Sequence, residues 1–280
     1  MKELTALRAI EGGRRGSSRP IVVETNAGAC LVKLRGAAQG TGPLVAEIVV
    51  GAIAEAIGLS VPARRLVRLT PDLDVPERDA ELRDLMSAST GVNLGFAYLV
   101  GARDLVAAEI EDVNPDDRAA ILWLDRYVMN PDRTARNTNL LWWQRKLLLI
   151  DHGAALGFQY DWSAVSETAT RRQSPELDPH LFAASVFSDA MREWDEVFAS
   201  RITRDLLEET LADVPDTFLV PLLARDETMR MDEALRRRRA AYVAFLWKRL
   251  KAPRTFFEAG AVQEHRAIRT GPPSWLGRRW

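Results

Sequence analysis

The chain carries a single cysteine, Cys30, in 280 residues. One thiol can build neither a disulfide framework nor a cysteine-based zinc site, and a lone thiol in an apolar run fits a reducing cytoplasm. Charge of one sign is also lacking: 38 Lys and Arg stand against 39 Asp and Glu, a formal net charge of -1. No overall field therefore draws nucleic acid or an anionic membrane. Long apolar runs are missing too. The opening "MKELTALRAIEGG" has no sustained apolar core of the kind that marks a secretory signal, and no other stretch reaches the length of a membrane span. Internal repeats and low-complexity tracts are absent as well. What is present is a hydrophobic fraction of 47%, ample for a core in one large domain or two lobes.

Glycine and serine punctuate the first third. "EGGRRGSSRP" (Glu11 to Pro20) reads as a flexible turn between β-like runs. "IVVETNAGACLVKL" predicts a hairpin, Ile21 to Glu24 and Cys30 to Leu34 around Asn26 and Gly28. From Leu44 to Ile57 apolar residues recur at helical spacing, with Gly58 as the stop and Glu47 off the stripe. "LSVPARRLVRLT" reads as a strand, Pro71 to Thr90 as loop and short helix, and Gly91 to Ala102 as a strand with a following linker. Asn114, Pro115, Asp116 and Asp117 form a cap, a first-turn proline and two acids, predicting a helix to about Met129. "NLLWW" and "KLLLI" make a tight hairpin about Gln144 and Arg145, and helical patterns run from about Pro179 to Ala252.

Scaffold alone does not account for "NPDRTARNTNLL" and "LLLIDHGAAL". Asp132 and Asn137 sit on a loop after a helix, and Asp151 follows a buried strand, which brings three oxygen ligands to one hairpin end. Phosphoryl transfer from ATP needs such a set: one carboxylate for the attacking hydroxyl, and an Asn with a second Asp to hold Mg2+ on the phosphates. It also needs a cation and a flexible loop over those phosphates. Lys33 can supply the first and backbone N–H groups near Gly16, Ser17 and Ser18 the second, with Glu47 as the carboxylate that fixes Lys33. Glycine loop, strand Lys, helix Glu, Asp-x4-Asn and Asp-x-Gly follow one another in the order of a kinase fold.

The blocks "GSSRPIVVETNAGACLVKL", "GPLVAEIVVGAIAEAIGLSVP", "DRYVMNPDRTARNTNLLWW" and "LLLIDHGAAL" resemble those of the HipA-like kinases, which share their Asp-Arg-x3-Asn loop and Asp-x-Gly site with the phosphatidylinositol kinases. The resemblance implies an α+β, bilobal protein-kinase-like fold, with a β-rich N-lobe of residues 1–100 built around one main helix and a mostly helical C-lobe of residues 101–280. It implies ATP and Mg2+ in the cleft, Asp132 as catalytic base, Asn137 and Asp151 as metal ligands, Lys33 on the phosphates and Glu47 as its partner. The acceptor it implies is a protein Ser or Thr. Adenine would lie against the linker from Asn93 to Val100, with Phe96 or Leu99 as apolar contacts. Where many relatives have His after the Asp-Arg pair, this sequence has Thr134, and Ser17 or Ser18 matches serines that some relatives autophosphorylate.

Each residue has a plainer reading. Asp132 after Pro131 is a usual turn residue, Lys33 alone can snorkel, Glu47 can be solvated, and Glu55 is a rival partner for Lys33. Asp125 can pair with Arg126 or anchor the loop, and His152 lacks the further N or S ligands of a zinc site. The arginines at 236–239 read as a solvated face, leaving nucleic acid unexpected despite a local basic run. Trp123, Trp142, Trp143, Trp194 and Trp247 read as core. A small-molecule or lipid phosphotransferase and a nucleotide-binding pseudokinase share the same motifs and stay open.

Overall fold

The computed structural model describes residues 1–11, 19–73, 80–166, 170, 179–183, 188–223 and 229–254. Its β-rich N-terminal part holds β1 (Glu3–Glu11), β2 (Ile21–Thr25), β3 (Gly28–Lys33), α1 (Gly42–Ala56), β4 (Arg64–Leu69), α2 (Ala80–Ala88) and β5 (Gly91–Ala97). The five strands close into a barrel in the order β1-β2-β3-β5-β4, with β4 returning parallel to β1. Side-chain alternation along β3 divides its two faces. Cys30 and Val32 join Leu4, Ile21, Val23, Val67 and Leu69 in the barrel core, whereas Leu31 and Lys33 face a cleft outside it. At Gly95, opposite Val32 on β5, an added Cβ would lie 2.5 Å from Val67 Cγ2, so the absence of a side chain is what lets the barrel close there.

Helix α1 starts with a proline in its first turn and buries most of its circumference, since it lies between the barrel and the helices α5 and α6. Its residues Val45, Ile48, Val49 and Ile53 belong to the larger hydrophobic core, which continues into the C-terminal part through Trp123, Tyr127, Phe182, Leu211, Phe218 and Leu246. The Thr41 hydroxyl, just ahead of the helix, donates to the Phe218 carbonyl at 2.7 Å and fastens that junction.

After the two-residue β6 (Arg103–Asp104), α3 (Pro115–Tyr127) begins as its sequence requires: Asn114 Oδ1 accepts the Asp116 N–H at 2.8 Å. Trp123 and Tyr127 stack along its buried face, 5.2 Å between ring centroids. Strands β7 (Leu140–Trp143) and β8 (Lys146–Leu149) pair across Gln144 and Arg145, whose φ values of 48 and 64° suit the right-handed twist of a two-residue hairpin. Helices α4 (Ser188–Arg201), α5 (Arg204–Asp213), α6 (Asp216–Leu219) and α7 (Met231–Arg249) complete the C-terminal part.

The architecture is thus the mixed α+β one expected, β-rich first and helical after, with no described helix long and apolar enough to cross a membrane. Of the five tryptophans assigned to the core, Trp123 is fully buried and Trp142, Trp194 and Trp247 pack against the larger core while partly buried; Trp143 is outside that cluster, with its Nε1 donating to the Val100 carbonyl. One expectation needs correction. The arginine run does not form one solvated face. Arg236 and Arg237 are exposed, but Arg238 lies over the Trp162 ring and Arg239 bonds the Leu211 and Val214 carbonyls and Asp216.

Candidate active site

The side chain of Lys33, at the end of β3, is 10% exposed and reaches two carboxylates: Glu47 Oε1 at 2.5 Å and Asp151 Oδ1 at 2.6 Å. Burial alone would lower the Lys33 pKa, yet the paired charges of Glu47 and Asp151 override it and hold the ammonium above its usual range. Glu47 is not the solvent-side residue its place off the apolar stripe suggests. It is 1% exposed, because α1 is covered on both flanks, and its polar side is the one that meets Lys33. Burial would raise the Glu47 pKa; Lys33 and His152 more than offset this and keep it ionised, well below the ordinary carboxylate range. The rival Glu55 is engaged elsewhere, with Arg64 at 2.6 Å.

Asp151 follows β8 with φ at 56°, a left-handed conformation unusual outside glycine, and its side chain is 48% exposed. The next residue turns inward: the His152 backbone N–H donates to Glu47 Oε1 at 3.0 Å, and its Nδ1 lies 3.1 Å from Glu47 Oε2. One carboxylate on α1 therefore joins β3 to the segment after β8. His152 faces Glu47, and no group of three or more His, Cys, Asp or Glu among the described residues could hold a metal by itself.

The loop after α3 is built on Asp125, which is buried and ionised. Burial works against that charge, but Arg133 and His180 outweigh it and lower the pKa. Its partner is not Arg126. Arg133 Nε binds Oδ2 at 2.6 Å, Asn130 Nδ2 binds Oδ1 at 2.8 Å, and His180 Nε2 lies 2.9 Å from Oδ2. The anchored loop carries Asp132, whose N–H donates to Asn130 Oδ1 and whose Oδ2 accepts from Asn137 Nδ2 at 3.0 Å, with Asn139 Nδ2 at 3.4 Å. Burial, and after it the repulsion of Asp151, push the Asp132 carboxyl above its usual value against the lowering effect of these amides.

Lys33, Asp132, Asn137 and Asp151 line one cleft of about 640 Å³ together with Leu31, Phe96, Leu99 and Ile150. Glu47 touches it through Lys33. Asn93 does not line it: that side chain is fully buried, accepting the Arg35 N–H and donating to Ser89 and Gly91 carbonyls, so the apolar wall begins at Phe96. Gly16, Ser17 and Ser18 lie outside the described residues. Sequence reasoning missed Asn139, His180 and the His152–Glu47 contact. The first could have been suspected as a second Asn two positions after Asn137; the other two depend on partners far away in the chain.

Asp132, Asn137 and Asp151 present hard oxygen donors, two carboxylates and an amide, at a cleft wall that also bears an ammonium. That donor set fits Mg2+ if a phosphate-bearing substrate supplies further oxygens, as Mg2+ retains most of its shell from water and phosphate.

The fold agrees with that of a known kinase. The crystal structure of a Helicobacter pylori proinflammatory kinase, CtkA, aligns with a TM-score of 0.53 over 89% of this chain and 98% of that one, at 13% sequence identity. No curated protein matches the sequence. The family described as HipA-like kinase matches residues 8–235, a span that holds Lys33, Glu47, the Asp132 loop and Asp151, and the chain belongs to that family.

Proposed function

We propose that this protein is an ATP-dependent kinase of bilobal, protein-kinase-like arrangement, in which residues 1–100 cover the nucleotide and residues 101–280 carry the transfer site. The observation that carries the reading is the chain of contacts Glu47–Lys33–Asp151 on the wall of the cleft that Asp132 and Asn137 also line. Glu47 holds the Lys33 ammonium in place at the cleft wall, and with Asp151 engaged by a metal ion the remaining N–H groups of Lys33 would be free to meet phosphate oxygens.

In this reading adenine lies against Phe96 and Leu99, and Lys33 binds phosphate oxygens. The acceptor hydroxyl, a protein Ser or Thr, attacks the γ-phosphorus. Its O–H proton passes to the Asp132 carboxylate, the bond from the γ-phosphorus to the β,γ-bridging oxygen breaks, and ADP leaves with that oxygen. The raised pKa of Asp132 suits proton acceptance near neutral pH better than an ordinary carboxylate would. Asn137 orients Asp132 through its amide and, with Asp151, would hold Mg2+, which supplies charge neutralisation on the transferring phosphoryl group.

The test is calorimetric titration of ATP with and without Mg2+ into wild type and Asp151→Ala, followed by transfer of labelled γ-phosphate to the protein itself and to a general Ser/Thr protein substrate. Magnesium-dependent binding that Asp151→Ala loses, with label on Ser or Thr in the wild type, is the expected result. Binding that is indifferent to Mg2+ and to Asp151 would remove the reading.

A further inference from the structure

Residues 179–183 stand far along the chain from the Asp132 loop, yet they are joined to it. His180 and Thr134 form an antiparallel bridge, and the Leu181 N–H donates to the Arg133 carbonyl at 2.9 Å. The His180 ring is buried, and its partners assign the roles of its two nitrogens. Nδ1 accepts the Phe182 N–H at 3.1 Å, so the ring proton sits on Nε2, which lies 2.9 Å from Asp125 Oδ2 and donates to it.

From Asp125 two routes reach Asp132. Through Asn130, Oδ1 of Asp125 fixes the amide whose own oxygen receives the Asp132 N–H at 3.1 Å. Through Arg133, Oδ2 fixes the guanidinium whose Nη1 donates to the Asn139 carbonyl at 2.5 Å, and the Asn139 amide approaches Asp132 Oδ2. Without His180 the same Oδ2 would keep only Arg133. A buried carboxylate with a vacant lone pair can rotate, and both routes would loosen together.

We propose that His180 is a positioning residue for the transfer step: its Nε2–H fixes Asp125 and thereby the loop that presents Asp132, so seating of segment 179–183 sets the alignment of the base. The inference rests on the reading of Asp132 as base. His180→Asn can reproduce the acceptor for Phe182 but not the donor to Asp125, and His180→Gln can place an amide N–H near the Nε2 position.

For the full-length protein, turnover of γ-labelled Mg-ATP per ATP-binding site is expected to fall about 10- to 100-fold in His180→Asn and to recover in His180→Gln. Turnover is read at saturating Mg-ATP, because Asn137, a ligand of the proposed metal site, lies on the same loop and the Kd can weaken with it. Hydrogen exchange gives a readout that needs no turnover. The Thr134 and Asn137 N–H groups, each bonded to the other's carbonyl at 3.0 and 3.1 Å, should exchange faster in His180→Asn and return toward wild type in His180→Gln. Unchanged exchange in His180→Asn, or equal loss of turnover in both variants, overturns the proposal. No turnover in the wild type, or full turnover in Asp132→Asn, overturns the reading of Asp132 instead and leaves the exchange result to decide on the loop.

Discussion

Replacing Glu47 by Gln keeps the volume of the side chain and removes its charge. In the protein the carboxylate receives Lys33 Nζ at 2.5 Å and the His152 N–H at 3.0 Å, with His152 Nδ1 at 3.1 Å. An amide offers one oxygen to these groups and turns an NH2 toward at least one of them. A buried donor left without a partner costs about 1–3 kcal/mol, and removing one member of a buried ion pair costs about 3–5 kcal/mol. Asp151 still compensates Lys33, so the lower part of that range applies, and the expected loss of unfolding free energy is about 3 kcal/mol.

The pH dependence has a definite sign. A carboxylate whose pKa is lowered in the folded state, as that of Glu47 is, stabilises the fold above its unfolded pKa of about 4.3 and loses that contribution as pH falls toward the folded value. Urea denaturation should therefore show the full difference between wild type and Glu47→Gln at pH 7 and a smaller one below about pH 4. Glu55→Gln is the control: its side chain is 52% exposed in its pair with Arg64, and the change should cost under about 0.5 kcal/mol. A Glu47→Gln protein within about 0.5 kcal/mol of wild type at pH 7 would refute the argument that this pair is buried and essential to the fold.

Two further outcomes follow from the same geometry. With Asp132 as the proposed base, its pKa raised by burial and Asp151 and its ionised form needed to accept a proton, kcat/KM should fall with decreasing pH at a value above that of an ordinary Asp; Asp132→Asn should abolish this limb along with most turnover. Arg249 on α7 donates to the Tyr127, Thr170 and Arg126 carbonyls at 2.7–2.8 Å, two of them at the C-terminal end of α3, and burial brings its pKa down only to about 10, so it is charged at neutral pH. Arg249→Met should lower the urea-unfolding free energy by about 3 kcal/mol through the loss of these three buried hydrogen bonds.

The parts of the fold that were legible in the sequence are those written locally. Asn114 to Asp117 carry a helix start in four residues, and Leu140 to Leu149 carry a hairpin in ten, so both elements lie where their patterns place them. Lys33 and Glu47 were legible through order and spacing along one β-to-α unit, and the structure brings them into contact. Burial of Glu47 was not, because a stripe of apolar residues reports one packed face and α1 is packed on two. Asp125 shows why the support of the loop was hidden: its adjacent Arg126 looks like a partner, while the true ones are 5, 8 and 55 positions away. Closure of the barrel by a parallel β1–β4 pair is equally non-local.

The placement of α1 inside the larger core has a bearing on how this protein can be controlled. A helix that carries the partner of Lys33 while buried between a barrel and two other helices cannot swing outward without tearing apolar surface from both. Its ion pair is then not a hinge but part of the cooperative unit, so heat or denaturant should break the Glu47–Lys33 pair and the global structure at one midpoint. Switching, if it occurs, falls to segments that touch the cleft from outside that unit.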